Sequence, residues 1–140
     1  FLDADDFHSA AAKARMARGE PLTDRMRAPG VRRLLAELVR RTADGARVVL
    51  AFSGLRRQHR DALRAAGLPL KFIFLHGERA LIAARMQARS DHYMPASLLD
   101  SQFAALQDPR GEADVVTLEI ETTPNEILAR AMSLLSITQD

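Results

Sequence analysis

Three aspartates fall within four residues of the first segment, Phe1-Leu-Asp-Ala-Asp-Asp-Phe-His8. Two apolar residues run into Asp3, Asp5 and Asp6, with His8 just beyond. That is the pattern of a buried parallel strand delivering side chains at its carboxyl end, where open α/β sheets collect ligands. Carboxylates this close repel one another unless a metal ion or arginines sit among them. The alternative is an acidic helix N-cap, with Asp3, Asp5 or Asp6 capping a helix through Lys13 and Met16. A second polar group, Ser53, Arg56, Arg57 and Arg60, follows another apolar run, and His76 follows a third. Carboxylates facing arginines across a sheet edge suit phosphoryl transfer onto a polyhydroxylated acceptor. One carboxylate takes or orients the hydroxyl proton and a second helps hold a metal, while arginines bind the acceptor's anion or the moving phosphoryl.

The elements that must position these groups alternate between strand and helix. Phe1-Leu2 reads as the end of a strand, and Ala10 to Arg18 as a helix stopped by Gly19. Thr23 or Asp24 is a cap, and Pro29-Gly30 is expected to break or restart the helix that follows. Val31, Leu34, Leu35, Leu38 and Val39 form an amphipathic stripe that closes at Asp44-Gly45. The runs Arg47 to Phe52, Leu70 to Leu75 and Val115 to Ile120 read as parallel strands buried on both faces. Between and after them lie helices from Leu55 to Ala66, Glu78 to Ala88, Pro95 to Leu106, and from Pro124 on. The last carries Ile127, Leu128, Ala131, Leu134 and Leu135 on its apolar side. Arg89 to Pro95 is irregular, and Asp108-Pro-Arg-Gly111 is a turn. The class is α/β, a doubly wound parallel sheet flanked by helices, in one domain over residues 1–140.

Composition excludes several classes. No apolar run approaches the roughly 20 residues of a membrane-spanning helix, and no signal-peptide pattern opens the chain. There is no cysteine, which removes disulfide and thiolate chemistry and fits the cytoplasm. Only Lys13 and Lys71 are lysines, so the net charge of +2 rests almost wholly on arginine, which suits bidentate phosphate or carboxylate recognition. One tyrosine and no tryptophan leave few stacking platforms for a nucleic acid. His8, His59, His76 and His92 show no metal-ligand spacing, which argues against zinc. His59, on an apolar helix face, reads as a packing residue, and Met86, Met94 and Met132 as core or lid filler.

Several stretches together are similar to the gluconokinases of the thermoresistant type: the opening Phe1 to His8, Lys13 to Met16 with Gly19, and Pro21-Leu-Thr-Asp24 with Arg27 and Pro29. Ser53-Gly-Leu-Arg-Arg-Gln-His-Arg-Asp61 and His92-Tyr-Met-Pro-Ala-Ser-Leu-Leu-Asp-Ser-Gln-Phe103 are the most specific parts. The resemblance covers nearly all of the chain. It implies a P-loop kinase fold related to shikimate and adenylate kinases, and phosphorylation of D-gluconate with ATP and Mg²⁺. By the same resemblance Asp3 lies near magnesium and Asp5 orients the sugar hydroxyl. Arg27 and Arg60 hold the acceptor carboxylate, with His8 beside them and Arg56 where the family usually has lysine. Arg85 and Arg89, one turn apart on a helix, flank a lid at roughly 85–106 and reach the ATP phosphates, and Glu121 to Pro124 lies by the adenine. The implied partners are a small sugar acid and ATP, with no nucleic acid and no membrane. Homodimerisation is left open.

The chain also departs from the family. Ala4 replaces a glycine, Ser9 a proline and Gly54 an alanine, and Gly30 stands where an aromatic is common, changes that would loosen the acceptor site or shift its substrate. No Gly-x-x-x-x-Gly-Lys-Ser/Thr occurs in the 140 residues, although the family carries that phosphate cradle on its first strand and helix. The chain opens on Phe inside an apparent strand, and is read as the later part of a longer protein or as numbered from an internal point. The 140 residues alone are therefore expected not to turn over ATP, and a non-catalytic binding relative or a shikimate-type kinase remain alternatives. The resemblance places a further strand between Arg47–Phe52 and Leu70–Leu75, so these two are not expected to pair directly.

Overall fold

The computed structural model describes residues 1–89 and 95–136. In chain order its elements are β1 (Leu2–Asp3), a 3₁₀ turn (Ala4–Phe7), α1 (Ala10–Ala17), α2 (Asp24–Thr42), β2 (Leu50–Ala51) and α3 (Arg57–Arg64). They continue with β3 (Phe72–His76), α4 (Arg79–Gln87), α5 (Ala96–Ala105), β4 (Val115–Glu119) and α6 (Pro124–Ser136). The contacts divide into two compact units, one holding β1 to α3 together with α5, the other holding β3, α4, β4 and α6. No described helix is long and apolar enough to cross a membrane.

In the first unit β1 and β2 run parallel, Leu2 opposite Leu50 and Asp3 opposite Ala51. Helix α1 starts where the Ser9 hydroxyl accepts the Ala12 N–H and stops at Gly19, which adopts a φ of 75°. Thr23, not Asp24, caps α2, its hydroxyl accepting the Met26 N–H. Leu2, Leu22, Leu34, Leu38, Leu63, Leu98 and Leu99 are the buried apolar core.

Helix α2 runs unbroken through Pro29 and Gly30, against the expected break. A proline inside a helix loses one backbone hydrogen bond and crowds the preceding turn, at a cost of ~3 kcal/mol. Leu34 and Leu38, further along the same helix, are both buried, and each contributes about 1.5–3 kcal/mol. The apolar stripe therefore holds the helix together across the proline. Gly30 is needed for a different reason. A Cβ there would come within 3.1 Å of the Phe7 carbonyl and 3.3 Å of His8 Nδ1, so its absence lets the 3₁₀ turn lie directly on α2. The Arg33 guanidinium donates to the same Phe7 carbonyl.

In the second unit β3 and β4 pair in parallel over five residues, from Phe72 opposite Val115 to His76 opposite Glu119. The ladders among the described residues are β1 with β2 in the first unit and β3 with β4 in the second. Gly77 follows β3 closely enough to Ile120 that a Cβ would collide with that side chain. Helix α6 begins in a reciprocal box: the Glu126 N–H donates to the Thr123 hydroxyl, and the Thr123 N–H donates to the Glu126 carboxylate at 2.8 Å.

Three expectations need correcting. The runs read as strands are not buried throughout: Val49, just before β2, is 68% exposed, and Leu75 in β3 is 53% exposed. The run from Arg47 to Phe52 shortens to Leu50–Ala51, since only those residues face a partner across the ladder. Met132 is 56% exposed rather than core, as it falls with Leu128 on the outer side of α6.

Candidate active site

The carboxyl ends of β1 and β2, the first three turns of α2 and the start of α3 line a small cleft of about 20 Å³. The 3₁₀ turn supplies Asp5 and His8, α2 supplies Arg27, Gly30, Val31 and Leu34 from one face, and β2 with α3 supplies Phe52, Ser53 and His59. Positions 27, 30, 31 and 34 share a helix face by the 3.6-residue period, and the last of them is core. The cleft is thus built onto the core of its unit.

Asp3 caps the 3₁₀ turn and not the helix through Lys13 and Met16, which Ser9 caps. The Asp3 Oδ1 accepts the Asp5 N–H at 2.9 Å and closes the 3₁₀ turn. That bond fixes the backbone of Asp5, whose Oδ1 lies 3.7 Å from His8 Nε2. Asp6 is exposed. Burial lowers the His8 pKa below its ordinary value; Asp5 opposes this, and Arg27, Lys13 and Arg33 reinforce it. The Nδ1 of His8 is buried with no hydrogen-bond partner.

Asp24 is released from capping by Thr23 and turns to α3. Its Oδ1 lies 3.3 Å from His59 Nε2 and 3.9 Å from Arg56 Nε. A hydrogen bond from Gln58, with Arg56 and His59 nearby, holds the Asp24 carboxyl below its usual range. Desolvation lowers the Arg27 pKa while Asp24 and Asp5 raise it, and arginine remains a cation at neutral pH. The His59 pKa is lowered, first by burial and then by Arg27 and Arg56, against Asp24.

Arg60 is only 3% exposed, the one buried charged residue among those described. Its guanidinium donates to the Gly54 carbonyl at 2.6 Å and the Leu55 carbonyl at 3.4 Å. Gly54 has a φ of 51°, so Arg60 holds a tight turn directly after Ser53.

The structure therefore gathers Asp5, His8, Arg27 and Ser53 into one cleft, with Asp3, Arg56 and Arg60 supporting it from behind or beside. Arg85 and Arg89 belong to the other unit. Arg85 donates to the Thr122 carbonyl at 2.8 Å, within the segment following β4. Arg89 lies beyond the Ala88 cap, so the two do not share a helix face as expected. His76 pairs with Glu119 at 2.8 Å, its neighbour across the ladder. The lid expectation at 85–106 and the motif from His92 fall partly outside the described residues. Sequence reasoning missed His59 as a cleft residue and Asp24 as its partner. The period-3.6 count put His59 on a packed face correctly, but nothing in spacing shows a partner 35 positions away.

The two histidines set a pH dependence. Each has a folded pKa below 6.5, so the unfolded chain takes up protons first as pH falls. Their contribution to stability is complete above pH 6.5 and is lost as pH drops through that value. Thermal melts should show Tm decreasing from pH 7.5 to 5.5, and His59→Gln should flatten that slope.

In fold the chain is similar to solved sugar kinases. The unliganded crystal structure of a sugar kinase from Janibacter sp. HTCC2649 superposes with a TM-score of 0.88 at 36% identity, covering 98% of this chain and 80% of that one. A gluconokinase from Arabidopsis thaliana is 36% identical over 97% of this chain and 78% of its own length. The thermosensitive gluconokinase of Escherichia coli is 39% identical over 86% of this chain, which spans 65% of that relative. No protein-family model matches the chain. At these identities and coverages the chain belongs to the gluconokinase family.

Proposed function

We propose that the protein transfers the γ-phosphoryl group of ATP to D-gluconate, giving 6-phosphogluconate, with the cleft between α2 and α3 as the acceptor site. The observation that carries this reading is the meeting of Asp5 with Arg27 in one cleft of a gluconokinase-family chain. Asp5 orients the acceptor hydroxyl for in-line attack. Arg27 and Arg56 draw in the acceptor carboxylate, His8 lines the floor, and Arg60 fixes the turn that presents Ser53. Arg85 and Arg89 serve the ATP phosphates, residues 85–106 act as the lid, and both units belong to one kinase-like domain. A cytoplasmic location belongs with this reading because the donor is ATP.

Mg²⁺ fits the donor set. Asp3 spends Oδ1 on the Asp5 N–H and has a second carboxylate oxygen, while the described residues form no cluster of three potential ligands. A cation bound by one carboxylate, phosphate oxygens and water is the usual way Mg²⁺ enters a kinase site, where it neutralises phosphate charge.

The test is an acceptor panel with ATP, on a preparation that turns over gluconate. A charge-assisted contact to a carboxylate is worth about 1.5–3 kcal/mol, so kcat/KM for gluconate should exceed that for glucose by about tenfold or more. Equal turnover of glucose, or a preference for shikimate, would overturn the reading.

A further inference from the structure

His59 has a place in the cleft that acceptor charge recognition does not account for. Its side chain is 14% exposed and lines the same cavity as Asp5, His8 and Arg27. Its Nε2 faces an Asp24 oxygen at 3.3 Å. A carboxylate only accepts hydrogen bonds, so in the neutral ring Nε2 carries the proton and Nδ1 carries the lone pair. The α2 side of the tie is firm, because Thr23 caps the helix and leaves Asp24 in its first turn. The α3 side is firm because Arg60, the next residue, is buried against the Gly54 carbonyl. The ring is therefore held in one tautomer and one position, with a hydrogen-bond acceptor to offer.

We propose that His59 is an acceptor-contacting residue, which, anchored by Asp24, takes a hydrogen bond at Nδ1 from a hydroxyl of a polyhydroxylated carboxylate bound in the cleft. The inference rests on the acceptor-site reading above and adds a division of labour to it. Arg27 and Arg56 answer the carboxylate by charge, whereas a neutral imidazole answers a hydroxyl and so reads the polyol. The groups facing His59 are Asp24 and Arg27 from α2 and Arg56 from the start of α3, and both arginines favour the neutral ring. The donor–acceptor pattern selects a hydroxyl at that position over a keto or deoxy carbon, because the keto or deoxy analogue would leave Nδ1 without a donor.

The experiment uses the 140-residue chain and sodium gluconate as the probe. Long-range ¹H–¹⁵N spectra of the histidine rings should assign Nε2 of His59 as the protonated nitrogen and show its Nδ1 resonance shifting as gluconate is added. Calorimetry should find gluconate binding weakened by about tenfold in His59→Phe, the loss expected for one neutral hydrogen bond in a buried setting. His59→Gln keeps an N–H for Asp24 and offers only Oε1 as acceptor, displaced from the Nδ1 position, and should recover at most part of the affinity. Wild-type affinity in His59→Phe would mean that no hydrogen bond from the acceptor ends on His59, and would overturn the inference. An unmoved Nδ1 resonance on a gluconate-bound wild-type chain would do the same without any substitution. If the wild-type chain binds no aldonate at all, the acceptor-site reading falls and this one with it. Gluconate binding with an indifferent His59 removes this one alone.

Discussion

Asp5→Asn is expected to lower kcat for gluconate phosphorylation by on the order of 10²–10³-fold, with the KM for ATP nearly unchanged. The substitution keeps the side chain's size and leaves the Asp3 bond to the residue-5 N–H intact, since that bond uses the backbone. What it removes is the negative charge next to His8 and near Arg27. An amide can neither take the acceptor's proton nor align its hydroxyl as strongly. Phosphoryl transfer passes through a loose transition state with little proton movement, so the loss should sit in the lower part of the range known for general bases. Gluconate-dependent ADP release by a coupled assay, on a preparation that turns over gluconate, is the measurement. Normal kcat would remove Asp5 from the chemistry. A raised gluconate KM at unchanged kcat would make it a binding group instead.

Much of this architecture was legible in the residues. The alternation of apolar runs with 3.6-period stripes gave parallel ladders and their helices, and Gly19 and Thr23 ended and began helices where their types suggest. Asp5 and His8 stand out in the sequence and the family resemblance adds Arg27, and all three line one cleft. Other features lay beyond local pattern. Pro29 reads as a breaker until the burial of Leu34 and Leu38 is known, because the energy that overrides it comes from residues packed far away in sequence. The pairing of Asp24 with His59 depends on how α2 and α3 pack, which no spacing records. The Thr123-x-x-Glu126 box was different, since its signature is local and was there to be read.

Arg60→Ala should have its first effect on stability, with acceptor binding following. Sequence resemblance assigns Arg60 to the acceptor carboxylate, which predicts a gluconate KM raised at least tenfold in a protein of normal Tm. The structure adds a role that acts before any ligand arrives. The side chain is buried, and its guanidinium holds the Gly54 carbonyl at 2.6 Å behind a turn of positive φ. Truncation leaves that half-buried carbonyl without its charged donor, at a cost of about 1–3 kcal/mol. The lost stem adds a cavity beside Leu63, the core residue one turn further along α3. For a chain of this length such losses lower Tm by roughly 3–6 °C per kcal/mol. Arg60→Lys separates the two roles. It keeps a positive charge but replaces the forked guanidinium with a single rotating ammonium. If the turn is what Arg60 secures, the lysine variant should recover part of the lost Tm, and the gluconate KM should improve in proportion. A wild-type Tm in Arg60→Ala, with only the gluconate KM raised, would show instead that the arginine's main contact is the acceptor.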